Sequence, residues 1–194
     1  MDIKDAPTLS SKTGGIRANM NYKFDEELSG FYQLEYAYQQ DYARNPNNYA
    51  TYYILVEPGI TYKSITAKLG YESLAADRKN HAFQTPLADA HNFNGWADIF
   101  TTTPSSGLTD FYVGLEHKTK SNYRLLNEVE TMFTFHNFTS KRLAINYGKE
   151  YDFMAQKSFN KNYYGGIKFA YYQRSSLGLT KDTTKIMLFS GLKF

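Results

Sequence analysis

Four histidines, His81, His91, His117 and His136, and an ample supply of Ser and Thr are the groups in this chain that could support nucleophilic chemistry. Such chemistry needs a nucleophile held beside a base, and the short words that hold one there are missing. There is no G-x-S-x-G elbow, no H-E-x-x-H pair and no phosphate-cradling glycine loop. Cysteine is absent, which removes thiol nucleophiles, disulfides and Cys-ligated zinc. His81, His91 and Asp89 could meet within one loop, but scattered loop histidines are usually just solvated. No enzymatic activity, metal or cofactor is therefore expected.

What remains is charge placed at every second residue. Arg17, Lys23, Lys68, Lys168 and Lys185 alternate with apolar neighbours, and so do Glu35, Asp41, Glu57, Glu72, Glu116, Glu128, Glu130, Glu150 and Asp152. If these residues share the wall of a wet interior, they line a pore in which acids outnumber bases. A conduit for a polyanion would present rings of Lys and Arg. This set is mixed and mildly cation-friendly, and Lys/Glu pairs that only hold strands together would give the same pattern.

The elements that would position these charges have period two almost throughout. Ile16, Ala18, Met20, Tyr22 and Phe24 alternate with Arg17, Asn19, Asn21 and Lys23, which assigns one set to each face of a strand. Similar runs follow: Tyr32 to Gln39, Thr51 to Tyr62, Ile65 to Glu72, Phe111 to Glu116, Leu125 to Phe135, Tyr147 to Lys157, Tyr163 to Gln173 and Thr184 to Phe194. Asp25-Glu26-Glu27 and Lys63-Ser64 read as turns. Pro58 removes a ladder donor, so a bulge is expected there. The count is about nine strands within a range of eight to ten. Residues 1–13 form an N-terminal arm or loop, and 76–106 form one long loop between the fourth and fifth strands.

Two architectures bury one face of such strands. A soluble lipocalin-like barrel turns the apolar set inward, whereas an outer-membrane barrel turns it toward lipid around a polar lumen. The chain is 17% aromatic, with 18 Tyr and 14 Phe, yet its mean hydropathy is −0.56. Three features favour the inverted case. Tyr22, Tyr38, Tyr52, Tyr62, Tyr71, Tyr147, Tyr163 and Tyr171 recur near strand ends, where an interfacial girdle needs amphipathic rings. Short turns alternate with longer polar loops. Phe194 ends an alternating strand, which resembles the signal by which barrel-assembly machinery recognises its clients. The expected fold is thus an all-β, antiparallel transmembrane barrel in a single domain.

The net charge of +3 is spread along the chain, with no basic stripe, so nucleic acid is not an expected partner. No secretory leader is read in Met1 to Gly15, and no run reaches the roughly 18 apolar residues of a spanning helix. Outer-membrane lipid and a polar solute or oligosaccharide are the expected partners, and an oligomer is a further expectation.

The words Phe83-Gln84-Thr85-Pro86-Leu87-Ala88, His91 to Phe100, Thr102-Thr103-Pro104 and Gly107-Leu108 resemble a loop motif of the alginate-export-like family of proteobacterial outer-membrane β-barrels. Ala6 to Thr13 and Asp182 to Lys185 resemble that family's C-terminal half. The resemblance implies a pore or exporter for sugar polymers or other polar solutes. Residues 76–106 would then fold into the lumen as a constriction or plug, with Gln84, His91, Asn92, Asn94, Trp96 and Asp98 along the path, or lie on the rim as a flap. Gly95 to Phe100 would form a short helix. Such barrels have about twice the strands counted here, and an odd count leaves the termini on opposite rims. The chain then reads as a C-terminal half, with a small self-closed barrel or a pair of copies as alternatives. An outer-membrane scaffold, a rim-site enzyme and a soluble binding module stay open as other functions.

Overall fold

The computed structural model describes residues 1–86, 94–123, 126–160, 162–176 and 181–192. The alternating runs form β1 (Ser11–Lys23), β2 (Leu28–Asp41), β3 (Ala50–Tyr62), β4 (Ile65–Leu74), β5 (Leu108–Lys118), β6 (Val129–Thr139), β7 (Asn146–Ser158), β8 (Tyr163–Arg174) and β9 (Thr183–Leu192). Each pairs antiparallel with its sequence neighbours in one nine-stranded sheet ordered β1 to β9. β1 and β9 are the two edges and do not pair with each other, so the sheet does not close on itself. The strands run from 10 to 14 residues, enough to cross a hydrocarbon layer at a tilt.

The two faces are inverted relative to a soluble protein. Ile186 and Leu188 are 67% and 81% exposed, whereas Asp110 and Glu150 are at 0%. The sheet curls, because Gln39 on β2 and Lys185 on β9 both bond to the segment between β4 and β5, whose residues Gln84 and Asp98 lie against the polar face. A soluble lipocalin-like barrel would bury the aliphatic set, so that alternative is excluded. The interior apolar cluster forms where the segment meets the wall: Phe83, Ala97 and Phe100 pack with Leu108, Phe138 and Tyr172. Gly70 is required on the inner face of β4, since a Cβ there would sit 1.9 Å from the ring of Tyr112, which lies across the inner wall.

One rim carries the turns 24–27, 63–64 and 159–162, and the other carries 42–49, 75–107, 140–145 and 175–182. The connection 119–128 is an exception, long for the short-turn rim. Asp25 shapes the first turn by accepting the amides of Glu27 and Leu28 at 2.7 and 2.8 Å. Exposed Tyr22, Tyr62 and Tyr163 mark the short-turn rim, and Tyr38 and Tyr52 mark the other.

Several expectations need correction. Pro58 causes no bulge. Val56 pairs with Tyr71 and Gly59 with Lys68 in one unbroken register, and the missing amide only interrupts the ladder toward β4 between them. The register does shift at Phe138/Thr139, where Tyr147 is the extra residue on β7. That bulge turns Tyr147 out of the expected girdle and into the interior at 2% exposure. Ser11 to Thr13 belong to β1, leaving an arm of residues 1–10 that holds a 3-10 turn at Pro7–Leu9. Gly95 to Phe100 form turns rather than a helix, because Asn94, Gly95 and Asp98 all have positive φ.

A substitution separates this fold from a water-facing sheet. Leu69→Arg, in the middle of the outward face, should cost about 2–4 kcal/mol when unfolding is measured in phospholipid vesicles. A sheet that turned this face to water would show no such cost, since surface substitutions are usually within about 0.5 kcal/mol.

Candidate functional site

Alternation places Arg17, Glu35, Glu57, Lys68, Glu72, Glu116, Glu130, Glu150, Asp152, Lys168 and Lys185 on the inward face, with Lys23 at the rim end of edge strand β1. Glu128 is the exception. It lies in the turn before β6 with φ +58°, exposed at the rim, because the strand begins one residue later. The wall charges pair across strands. Arg17 meets Glu35 at 2.5 Å, Lys68 lies 3.2 Å from Glu116 and 3.9 Å from Glu57, and Lys118 lies 3.1 Å from Glu130. Pairs this wet contribute about 0–1 kcal/mol each, so their main effect is to fix side-chain direction along the wall. Tyr112 donates to Glu57 at 2.5 Å and Tyr53 to Glu72 at 2.8 Å, which turns two phenols inward.

The segment 75–107 is tied to this wall by charge-assisted bonds. Its amides at Trp96 and Ala97 donate to Asp152 at 3.1 Å and to Glu150 at 2.6 Å. Asp98 accepts a bond from Lys185, and the Lys168 ammonium lies 4.6 Å from the centre of the Trp96 ring. Gly95 makes the approach feasible: φ is +84°, and a Cβ would stand 2.5 Å from the Glu150 carboxylate. At the other end, Gln84 exchanges bonds with Gln39 at 2.8 and 2.9 Å and with Thr103 at 3.0 and 3.2 Å. Gln84, Asn94, Trp96 and Asp98 are thus all brought against the inward face, while His91 and Asn92 lie outside the described residues. The start of the segment is stiffened near the rim. Burial there would raise the Asp77 carboxyl, but bonds from the His81 amide and ring and the Lys79 amide hold it below the usual carboxylate range.

Beneath the segment lies a cavity of about 380 Å³, with Glu57, Lys68, Asp110, Tyr112, Asp152 and Lys168 among its walls. His136 bridges two carboxylates in it: Nδ1 is 2.7 Å from Asp110 and Nε2 is 3.7 Å from Asp152. Both ring nitrogens therefore face acids, which places the imidazole as a structural bridge rather than beside a nucleophile. No group of three or more His, Asp or Glu side chains is arranged to hold a metal ion among the described residues. Asp110 was missed by reading the fifth strand only from Phe111. Extending the alternation Glu116, Gly114, Tyr112 back by one step would have found it. Tyr53 and Tyr112 fell on the polar set but carried no sign that they reach carboxylates on other strands, Glu72 on the next strand and Glu57 two strands away.

No family model matches the sequence, the alginate-export-like family included, and no curated protein matches it. Solved structures do resemble the fold. The outer membrane protein OprD from Pseudomonas aeruginosa superposes with a TM-score of 0.68 at 12% identity, over 95% of this chain and 52% of that one. OccAB2 from Acinetobacter baumannii gives 0.65 at 13% identity, over 94% of this chain and 48% of that one. The chain spans about half the length of each. Its fold is therefore the antiparallel wall of an outer-membrane β-barrel, with polar face inward and apolar face outward.

Proposed function

We propose that this chain forms part of the wall and the constriction of a channel that passes polar solutes across a bacterial outer membrane. The observation that carries the reading is the placement of Trp96, Ala97 and Asp98 on the charged inner face, bonded to β7 and β9. A segment anchored inside a barrel narrows it, and the charged groups beside it set which ions and solutes pass. On the inward positions of β1 to β9 the acids outnumber the Lys and Arg. This supports neutral or cationic solutes, oligosaccharides included, over export of a polyanion such as alginate.

Open strand edges do not persist in hydrocarbon, because each unpaired N–H or C=O there costs several kcal/mol. We take β1 and β9 to be completed by further strands, as in the larger barrels that this chain half covers, rather than by self-closure. Phe194, outside the described residues, would serve recognition by the assembly machinery.

Protein purified from native outer membranes, with both edges closed as in the cell, should give stepwise conductance in planar bilayers. The reversal potential should favour K⁺ over Cl⁻. Well-folded protein without conductance would reduce the reading to a scaffold. Asp98→Ala and Lys185→Ala should each change the conductance of the open state in the same direction, and the double variant should add little to either, since both release one contact. Fully additive effects would show that the segment is held elsewhere.

A further inference from the structure

Charge is also sorted on the outward face. Every Asp and Glu within β1 to β9 occupies an inward position, and the only formally charged side chains on outward positions are Lys12, Lys149 and Lys157. Lys157, at the short-turn rim, is spent on the Asn127 carbonyl. Lys149 stands near the opposite rim, level with Asn137 on β6 and Gln173 on β8. Two residues nearer the middle of the sheet, Phe135, Tyr151 and Tyr171 form an aromatic row with ring centres 5.3 and 6.4 Å apart. From the 140–145 turn at the same rim, Lys141 reaches toward β4, three strands from Lys149, where it donates to the Tyr71 hydroxyl at 3.0 Å and lies 5.7 Å over that ring. Among the described residues, neither Lys141 nor Lys149 pairs with a carboxylate.

We infer that Lys149, flanked by the side-chain amides of Asn137 and Gln173, and Lys141, about 14 Å away along the same rim by strand spacing, form an outward-facing surface for the two phosphates of a lipid headgroup in the outer leaflet. The inference rests on the reading of this sheet as an outer-membrane wall. The long-loop rim is then the extracellular one, and the aromatic row sits at the depth of the lipid interface. The Lys149 ammonium, one step beyond that row, and the Lys141 ammonium, over Tyr71, stand where headgroup phosphates lie, and no outward position of β1 to β9 carries a carboxylate that would repel an anion. Asn137, Lys149 and Gln173 occupy three adjacent strands and span about 10 Å, wide enough for a phosphate and the sugar or glycerol that carries it. Lys141 keeps two further N–H donors beside its bond to Tyr71.

The test is native mass spectrometry of the detergent-extracted full chain titrated with diphosphorylated lipid A. Lys141→Gln/Lys149→Gln should weaken retention about 30-fold, the effect of removing two cations near a charged lipid surface. Lys157→Gln should change it by no more than about twofold, and Lys141→Arg/Lys149→Arg should restore it. Lipid stripped of phosphate should not distinguish the wild type from the Gln variant, and inorganic phosphate should not displace bound lipid. Equal retention by the Gln variant overturns the site, and displacement by inorganic phosphate shows a free-anion site instead. Heat-modifiable migration on a denaturing gel reports separately on the barrel. Its loss in the wild type would remove the membrane reading itself, whereas its presence with equal retention removes only the lipid site.

Discussion

Hydrocarbon offers no partner to a backbone amide or carbonyl, and the rest of this structure follows from that deficit. Nine consecutive strands satisfy one another's polar groups through neighbour-to-neighbour ladders. Pro58 shows how tightly the requirement operates. The proline lacks one donor, yet the sheet keeps its register on both sides of the gap rather than bulging. A ladder this continuous makes every side chain choose between lipid and lumen, and the two choices alternate.

The lumen side then faces the opposite problem, an excess of polar groups partly withdrawn from water. The chain uses the segment 75–107 to satisfy part of it. Carboxylates of Glu150 and Asp152 accept amides that would otherwise be unpaired in a turn, and Lys185 and Asp98 neutralise each other. A bond between a carboxylate and an N–H is about twice as strong as a neutral one. Three such contacts hold a segment that has no regular secondary structure of its own at its wall end. The apolar cluster around Phe100, Phe138 and Tyr172 fills the space beside them and excludes water from that side.

Much of this was legible in the residues. The alternation around Arg17, Glu35, Lys68 and Asp152 placed each on the correct face, because a strand's side chains change sides at every step and neighbours calibrate one another. Legibility failed where the count was broken or ran out. Tyr147 was assigned to the girdle, and a single extra residue at the bulge reversed it. Glu128 obeyed the alternation but lay one residue before its strand. Asp110 fell outside a strand whose start was set too late. The helix expected over Gly95 to Phe100 failed because the positive φ values of Gly95 and Asp98, in the stretch that brings the backbone against Glu150, are incompatible with it.

The sequence by itself determined the strands, their two faces and the inversion of polarity, since all three follow from a local period and from aromatic rings near strand ends. Only the tertiary structure decided which wall residues meet the segment 75–107. Trp96 and Asp152 are separated by 56 positions, and Asp98 and Lys185 by 87. Contacts at that range depend on how far the sheet curls and where a segment without period comes to rest, and no pattern of neighbouring residues encodes either.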